Sequence, residues 1–227
     1  MKFNKADMVN EAKEIRAFIR ENGRLPNSAT MKDSTGKEVT LKKNEYLGLF
    51  KNQTTFFQAN GRLPNYTALL YESSTAFSGQ KQPNSWTCGS TSLSNAATHV
   101  FTYVSEKQCR EACKTNTNGT VPDNLVAGGK KLGLQVKPIQ RTLNAVRSTI
   151  NSGGSVIAHI ETAGKTRPAC LGFKNNFGHY ISIYDVTSDM KFKVFCPTMG
   201  AKTCLANQII NATNGRGIKF YSVKPLN

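Results

Sequence analysis

Acidic residues are scarce in this sequence. Its 227 residues include 14 Asp and Glu against 30 Lys and Arg, which gives a formal net charge of +16. An excess of this size favours an acidic partner. Three kinds of partner carry the required negative charge: nucleic acid, an anionic membrane and an anionic cell-wall polymer. The basic residues are scattered, and neither a zinc-finger nor an RNA-recognition pattern occurs, which argues against a specific nucleic-acid partner.

Long apolar runs are also missing. The opening stretch MKFNKADMVNEAKEIRAF lacks the apolar segment of a signal peptide, and nothing elsewhere approaches the roughly 20 apolar residues of a membrane helix. We therefore expect a protein that is made in the cytoplasm without a signal peptide or a transmembrane segment. With 38% hydrophobic residues the chain can bury a normal core, and its length permits one domain or two.

Cysteine is too sparse for a disulfide scaffold, because only six are spread along the chain and no paired CxxC zinc signature occurs. We expect most of them to be reduced thiols. Cys109 and Cys113 are four residues apart and share a helix face, but no matching His or Cys pair accompanies them, so packing is favoured over a metal site. The sequence leaves pairing and ligation open for Cys170, Cys196 and Cys204.

The sequence does contain a repeat. FIRENGRLPN at residues 18–27 returns as FFQANGRLPN at residues 56–65. An amphipathic helix with Asp7 as its cap is predicted over residues 7–21, and a helix or helix pair over residues 44–59. In each copy a glycine ends the helix and a proline three residues later prevents it from resuming. Six identical residues exceed what helix termination requires, so the repeat indicates a reused unit, often a binding module.

A reactive thiol is predicted at Cys88. The stretch QPNSWTCGSTSLSNAATHVF, residues 82–101, places Cys88 after a turn and before apolar residues at helical spacing. At a helix N-terminus, backbone N–H groups and the helix dipole favour the thiolate, which is the attacking species in thiol proteases. Gln82 stands six residues earlier, a spacing that resembles the oxyanion-binding glutamine of papain-like peptidases, with the Cys88 N–H as the other donor.

A general base must accompany this thiol, and the chain has three histidines. His99 follows Cys88 by eleven residues, which is roughly 16 Å along a helix and excludes direct contact. His159, in SVIAHIE, reads as a packed, hydrogen-bonded histidine of an interior strand. His179 begins the alternating stretch HYISIYDV behind a glycine, and is the best base by position.

The third catalytic member is left open between two residues. A hairpin that turns near Ser188 and Asp189 would bring Cys196, in FCPTMG, opposite His179. Asp185 shares a strand face with His179 but lies near 20 Å away at about 3.3 Å per residue. Without a carboxylate, a backbone carbonyl, Thr198 or water could orient the imidazole.

The order of Cys88, a helix, several strands and His179 resembles the bacteriocin-processing and transglutaminase-like cysteine peptidases over about residues 80–200. GTVPDNLVAGGKKLGLQVKPI and SGGSVIAHI add a helix, a strand, a helix over residues 142–151 and a core strand in the same order. The resemblance implies an α+β fold in which a helix carrying Cys88 packs on an antiparallel sheet carrying His179. Those families place an aspartate, often Asp-Pro, about 16 residues after the histidine, and here Cys196 stands before the proline.

The NGRLPN repeat, continued as NGRLPNYTALL in its second copy, resembles the pseudomurein-binding repeats of methanogenic archaea and their viruses. The first copy departs at Ser28, where that family usually has tyrosine, so one full and one partial repeat are expected. We expect a helical wall-binding region at residues 1–70, a linker rich in Ser, Gly and Gln at residues 71–81, and a peptidase domain at residues 82–227.

Together the two resemblances imply a pseudomurein endoisopeptidase, which cleaves an ε-Ala-Lys bond in the wall's cross-linking peptides. The protein would be a monomer that acts on the wall after release from the host cytoplasm. The chemistry would require no cofactor or metal, and stimulation by a divalent cation is left open. The repeat implies these wall-binding residues: Asn22, Gly23, Arg24, Leu25, Pro26, Asn27, Asn60, Gly61, Arg62, Leu63, Pro64, Asn65 and Tyr66.

Overall fold

The duplicated turn belongs to a larger duplicated unit. In the computed structural model, which describes residues 1–69, 79–163, 167–212 and 219–226, the first copy consists of β1 (Lys2–Asn4), α1 (Lys5–Asn22) and β2 (Ser28–Lys32). The second copy consists of β3 (Glu38–Lys42), α2 (Lys43–Asn60) and β4 (Tyr66–Ala68). Both copies contain the helix, the turn and flanking strands, which corrects the expectation of one partial repeat in a purely helical region.

The two copies fold as one interlocked module. β2 pairs antiparallel with β3, with Ser28 opposite Lys42, and β1 pairs antiparallel with β4, with Asn4 opposite Tyr66. Each two-stranded sheet therefore takes one strand from each copy. Between the helices lies a common apolar core that includes Phe3, Met8, Ile15, Ile19, Leu41, Tyr46, Leu49 and Phe50.

Helix ends in this module follow the sequence signals closely. Gly23 and Gly61 adopt φ values of 64° and 68°, and their N–H groups donate to Ile19 and Phe57. This left-handed conformation strains any residue with a Cβ, which is why glycine recurs there. The cap of α1 is Asn4 instead of the expected Asp7, because the Asn4 side chain accepts the Asp7 N–H at 3.0 Å.

The second half of the chain builds one antiparallel sheet between two layers of helices. Its sheet has the order β5-β10-β6-β7-β8-β9. In chain order the elements are α3 (Cys88–His99), α4 (Glu106–Ala112), α5 (Pro122–Lys131), β5 (Leu134–Ile139), α6 (Leu143–Asn151), β6 (Ser155–Glu161), β7 (Gly178–Val186), β8 (Lys191–Cys196), β9 (Gly200–Leu205), α7 (Ala206–Ile210) and β10 (Phe220–Pro225), with a 3-10 turn at Ala169–Leu171. The helix expected over residues 142–151 and the hairpin expected near Ser188 are both present.

Each face of this sheet covers its own core. Helices α3 and α5 pack on one face against Ile157, Tyr180 and Tyr221, while α6 and α7 pack on the other against Ile160 and Ile181. Every residue of α3 is buried, so the helix that begins with Cys88 runs through the interior. A helix enclosed in this way cannot shift without disturbing both the sheet and α4.

The module and the sheet domain are in direct contact. Phe101, just after α3, belongs to the core of the module and meets the Phe50 ring edge-to-face at 5.1 Å. Tyr103 donates its hydroxyl to Gln53 at 2.9 Å. The expected linker falls largely at residues 71–78, outside the described residues. Among the helices that the structure describes, none has both the length and the apolar character needed to cross a membrane.

Candidate active site

Cys88 is the first residue of α3 and is 9% exposed. The backbone N–H of Tyr180, the residue after His179, donates to its thiol, so α3 presents the sulfur to the start of β7. Burial nevertheless raises the pKa of the Cys88 thiol, and the hydrogen bonds from Tyr180 and Gly89 offset only part of this rise. Burial therefore opposes the thiolate that the helix N-terminus favours.

His179 is the second residue of β7 and is buried among aromatic rings. Phe173 and Phe177 meet its imidazole edge-to-face, with ring centroids 5.1 and 5.9 Å away. Burial, with a smaller contribution from the charge of His159, lowers the pKa of His179 to about 4. Burial thus favours the neutral form of the His179 imidazole near neutral pH.

The hydrogen bond that the structure gives the His179 ring goes to Cys196. Nε2 of His179 lies 3.3 Å from the Cys196 Sγ, and the same sulfur accepts the Met199 N–H at 3.4 Å. Strand pairing explains the contact, since Ser182 of β7 stands opposite Phe195 of β8. Of the two candidates for the third member, the structure thus brings Cys196 to the histidine.

Asp185 is not brought to His179. Its carboxylate forms an ion pair with Lys193 at 2.9 Å, and it lies beyond a bulge in the pairing of β7 with β8. Asp185 instead lines a cavity of about 530 Å³ at the junction of the two domains, together with Leu25, Lys43, His99 and Tyr184 among others. Asp185 lies six residues from His179 along the same strand, which is too far for its carboxylate to contact the imidazole. Asp185 is therefore excluded as the third member.

Gln82 lies beside the turn that follows Cys196. Its backbone N–H donates to the Pro197 carbonyl at 3.0 Å, and its side-chain oxygen accepts the Thr198 hydroxyl at 3.3 Å. The amide Nε2 donates to the Asn84 carbonyl at 2.7 Å. An amide nitrogen carries two hydrogens, so this bond uses one of them.

The other two histidines have structural positions. His159 lies in β6 and stacks on Tyr180 with centroids 4.1 Å apart, and burial lowers its pKa to about 4. His99 closes α3 and meets the Tyr184 ring edge-to-face at 5.0 Å, and burial lowers its pKa to about 3. Both rings therefore pack against tyrosines.

The remaining cysteines divide into a disulfide and a buried pair. Cys170 bonds to Cys204, which ties the 3-10 turn to β9. Cys109 and Cys113 are buried free thiols in the core beneath α3. Within the residues that the structure describes, no group of three or more His, Cys, Asp or Glu is arranged to hold a metal ion.

Some residues that support the site carry no signal in the sequence. The Asn95 side chain of α3 accepts the Gln80 N–H at 2.8 Å and donates to the Gln80 carbonyl, which pins the segment before Gln82. The Thr120 carbonyl accepts a hydrogen bond from the Tyr180 hydroxyl, and the Thr120 side chain packs against Gly89. These contacts join distant parts of the chain, so only the fold reveals them.

A thiol at the N-terminus of a buried helix, with its histidine at the start of a strand in an antiparallel sheet, defines a papain-like cysteine peptidase. The profile of the Peptidase C39 family matches residues 77–211. This chain belongs to that family of cysteine peptidases and is a hydrolase by class.

Solved structures share this fold. The peptidase domain of Streptococcus ComA, a bifunctional ABC transporter of a quorum-sensing pathway, is 21% identical with a TM-score of 0.50, over 66% of this chain and 99% of that domain. A double-glycine motif protease from an AMS/PCAT transporter, solved with a leader peptide, is 17% identical with a TM-score of 0.47, over 64% and 89%. Comparison with curated proteins found no match.

Proposed function

We propose that this chain is a viral lytic cysteine peptidase that binds pseudomurein and hydrolyses an ε-Ala-Lys isopeptide bond in its cross-linking peptides. The observation that carries the proposal is the union of a cysteine peptidase fold with a module built from two NGRLPN units. The net charge of +16 suits wall peptides that contain glutamate.

In the proposed reaction Cys88 is the nucleophile and His179 the base. The neutral imidazole takes the thiol proton as the sulfur attacks the scissile carbonyl, so no separated charges are needed before substrate arrives. The resulting oxyanion accepts hydrogen bonds from the Cys88 N–H and the second Gln82 amide hydrogen. The imidazolium then protonates the leaving lysine ε-amine, and water hydrolyses the thioester to restore the thiol.

Cys196 holds the imidazole in the tautomer that this sequence of steps requires. If Nε2–H of His179 donates to the Cys196 sulfur, the other ring nitrogen carries the lone pair that accepts the Cys88 proton. A thiol gives this orientation but lacks the negative charge that would stabilise the imidazolium. Cys196 therefore acts as a positioning residue in the proposal.

The setting of the reaction follows from the same proposal. The protein acts as a monomer on the wall polymer after release from the host cytoplasm, and its chemistry draws on protein groups alone. Chelation with EDTA should leave peptide release intact, and re-addition of Ca²⁺ or Mg²⁺ reveals any stimulation by a divalent cation.

Purified pseudomurein walls test the proposal. Wild type and Cys88→Ala are compared under reducing conditions for release of soluble peptide and new amines, and for pelleting with the walls. We expect release to fall at least about a thousandfold in the variant with pelleting retained. Pelleting of both proteins without release by either would instead favour an inactive wall-binding or adhesion protein. The supporting observation for that reading is that Cys196 contacts the His179 ring where the resemblance implies an aspartate.

Family membership supports a second candidate function. One solved relative in fold is a double-glycine motif protease in complex with a leader peptide, so processing of leader peptides after Gly-Gly is the competing activity. A peptide with a Gly-Gly scissile site and one with an ε-Ala-Lys bond should be offered to the same enzyme sample. Preference for the isopeptide supports wall lysis, and preference for Gly-Gly replaces it with leader processing.

A further inference from the structure

The two copies of the N-terminal module share a turn whose exposed residues are identical, although the buried residues of their helices differ. The four buried residues of α1 and their counterparts 38 positions later are all different: Met8 and Tyr46, Ala12 and Phe50, Ile15 and Gln53, Ile19 and Phe57. Four exposed turn residues are all the same: Asn22 and Asn60, Gly23 and Gly61, Arg24 and Arg62, Asn27 and Asn65. Packing alone would constrain the buried positions most strongly.

The fold explains part of the identity in these turns. The glycines supply the left-handed conformation, and Asn22 and Asn60 donate their side-chain amides to the carbonyls of Phe18 and Phe56. The prolines are buried. Each arginine lies over a phenylalanine ring of its own copy, which accounts for part of its recurrence, and both arginines remain exposed to solvent.

Each arginine is held on an aromatic ring. The Arg24 guanidinium carbon lies 5.1 Å from the centroid of the Phe18 ring, and that of Arg62 lies 5.2 Å from the Phe56 ring. A stacked guanidinium keeps its N–H donors at its edge, where they match the two oxygens of a carboxylate. Neither arginine forms an ion pair with any residue that the structure describes. Two exposed guanidinium groups are thus positioned on aromatic rings, and that of Arg24 also donates to the Leu25 carbonyl at 3.3 Å.

The topology fixes the spacing between the two turns. The first turn follows the C-terminus of α1, and the second ends at Tyr66, which pairs with Asn4 directly before the N-terminus of α1. The two turns thus lie at opposite ends of an 18-residue helix. At about 1.5 Å per residue they are roughly 27 Å apart.

The surroundings of the first turn add to the positive charge. A cleft of about 470 Å³ is lined by Gly23 and by polar residues of α6 that include Arg147. Arg20 and Lys224 line a smaller cleft on another side of the same glycine. An acidic chain that reaches this turn meets cations from both domains.

We propose that each NGRLPN turn is a carboxylate-binding site and that the two turns together bind a single acidic polymer at two points. An extended peptide needs roughly eight residues to span about 27 Å. Shorter acidic peptides engage one turn at a time, while longer ones engage both and gain from effective concentration. The inference rests on the proposed wall function only for the identity of the natural polymer.

Labelled glutamate peptides of four and twenty residues, titrated into the full chain at fixed ionic strength, test the inference by fluorescence anisotropy. We expect the long peptide to bind on the order of a hundredfold more tightly than the short one. Arg24→Lys or Arg62→Lys should each remove most of this advantage, because lysine keeps the charge but loses the planar donor pair. Thermal melts of the variants report that they remain folded.

A control variant removes two exposed positive charges outside the N-terminal module. Lys107→Ala/Lys114→Ala should change binding of the long peptide less than about threefold, since both lysines lie outside the module. A loss in this control as large as the loss in the arginine variants would show that binding does not depend specifically on the turns and would overturn the inference. Equal affinities for the two peptides, or arginine variants that bind like wild type, would also overturn it.

Pelleting with pseudomurein walls separates this inference from the proposed function. Walls that retain wild type and lose Arg24→Lys/Arg62→Lys support both. Walls that retain both proteins equally would sustain wall binding and overturn the role of the turns. Tight binding of the long peptide without retention by walls would sustain the carboxylate sites and overturn the wall function.

Discussion

Nε2 of His179 lies 3.3 Å from the Sγ of Cys196, across the pairing of β7 with β8. The resemblance to cysteine peptidases places an aspartate at this point. A thiol there gives direction to the imidazole without supplying charge, and burial raises the pKa of the Cys196 thiol so that it stays neutral. The imidazole and its Cys196 partner both favour their neutral forms, so proton transfer at His179 should depend on the residue at position 196.

Substitutions at position 196 should show whether that residue acts on His179 by orienting its imidazole or by supplying a negative charge. We expect Cys196→Ala to lower kcat about tenfold with little change in KM, because the imidazole loses the acceptor that fixes its tautomer. Cys196→Ser should retain most of the activity. Cys196→Asp should raise the pKa of His179 and shift the acid limb of kcat/KM upward. Cleavage assays over a pH series check all three variants, and an alanine variant with unchanged kcat would show that Cys196 has no positioning role.

The pH dependence of wild type follows from the lowered pKa of His179. His179 must be unprotonated to accept the Cys88 proton, and its pKa is about 4. The acid limb of kcat/KM for the free enzyme should therefore have its midpoint near pH 4, well below the 6.5 of an ordinary histidine. Steady-state rates between pH 3.5 and 8 measure it. A midpoint near 6.5 would mean that the site is far more hydrated than the Phe173 and Phe177 contacts imply.

Stability should also depend on pH through the three buried histidines. Their folded pKa values are about 3 for His99 and about 4 for His159 and His179. Since these lie below the unfolded value near 6.5, the unfolded chain binds more protons between the two. The stabilisation is fully present above pH 6.5 and is lost as the pH falls towards 4, at up to about 4 kcal/mol per pH unit. Urea unfolding at pH 7, 6 and 5 measures the slope, and equal midpoints would contradict it.

Two glycine-to-alanine substitutions should have opposite effects. A Cβ at Gly89, the residue after Cys88, would meet the Thr120 Oγ1 at 2.4 Å, whereas a Cβ at Gly48 in α2 meets nothing within 4 Å. Gly89→Ala should therefore displace the start of α3 and lower kcat/KM at least tenfold. Gly48→Ala should leave activity unchanged and stabilise the fold by roughly 0.5–1 kcal/mol through helix propensity. Thr120→Gly should partly rescue Gly89→Ala if the collision is the cause.

The disulfide should stabilise the loop behind His179. Cys170 and Cys204 are 34 residues apart, and Phe173, three residues after Cys170, contacts the His179 ring. Cys170→Ser/Cys204→Ser should lower the free energy of unfolding by about 2–4 kcal/mol and reduce kcat more than it raises KM. Dithiothreitol should reproduce the loss of stability in wild type and have no effect on the double variant. A double variant as stable as wild type would show that the disulfide does not stabilise the fold.

Local signals in the sequence predicted individual elements well. The glycines at 23 and 61 ended both helices because their left-handed conformation is a local property, and the helix starting at Cys88 follows from apolar spacing after a turn. The strand beginning at His179 followed from alternation. Asp7 was a wrong cap because Asn4, one turn earlier, offered the same kind of acceptor at a position that strand pairing with β4 fixes.

By itself the sequence determined the duplicated unit and the order of elements, and it predicted a candidate thiol and a candidate histidine in one domain, since these depend on spacing and on turn chemistry. Only the tertiary structure decided between Cys196 and Asp185, joined Cys170 to Cys204, and interlocked the two repeats through exchanged strands. It also showed that burial raises the pKa of Cys88 against the local field of the helix terminus, because burial depends on what packs around a residue.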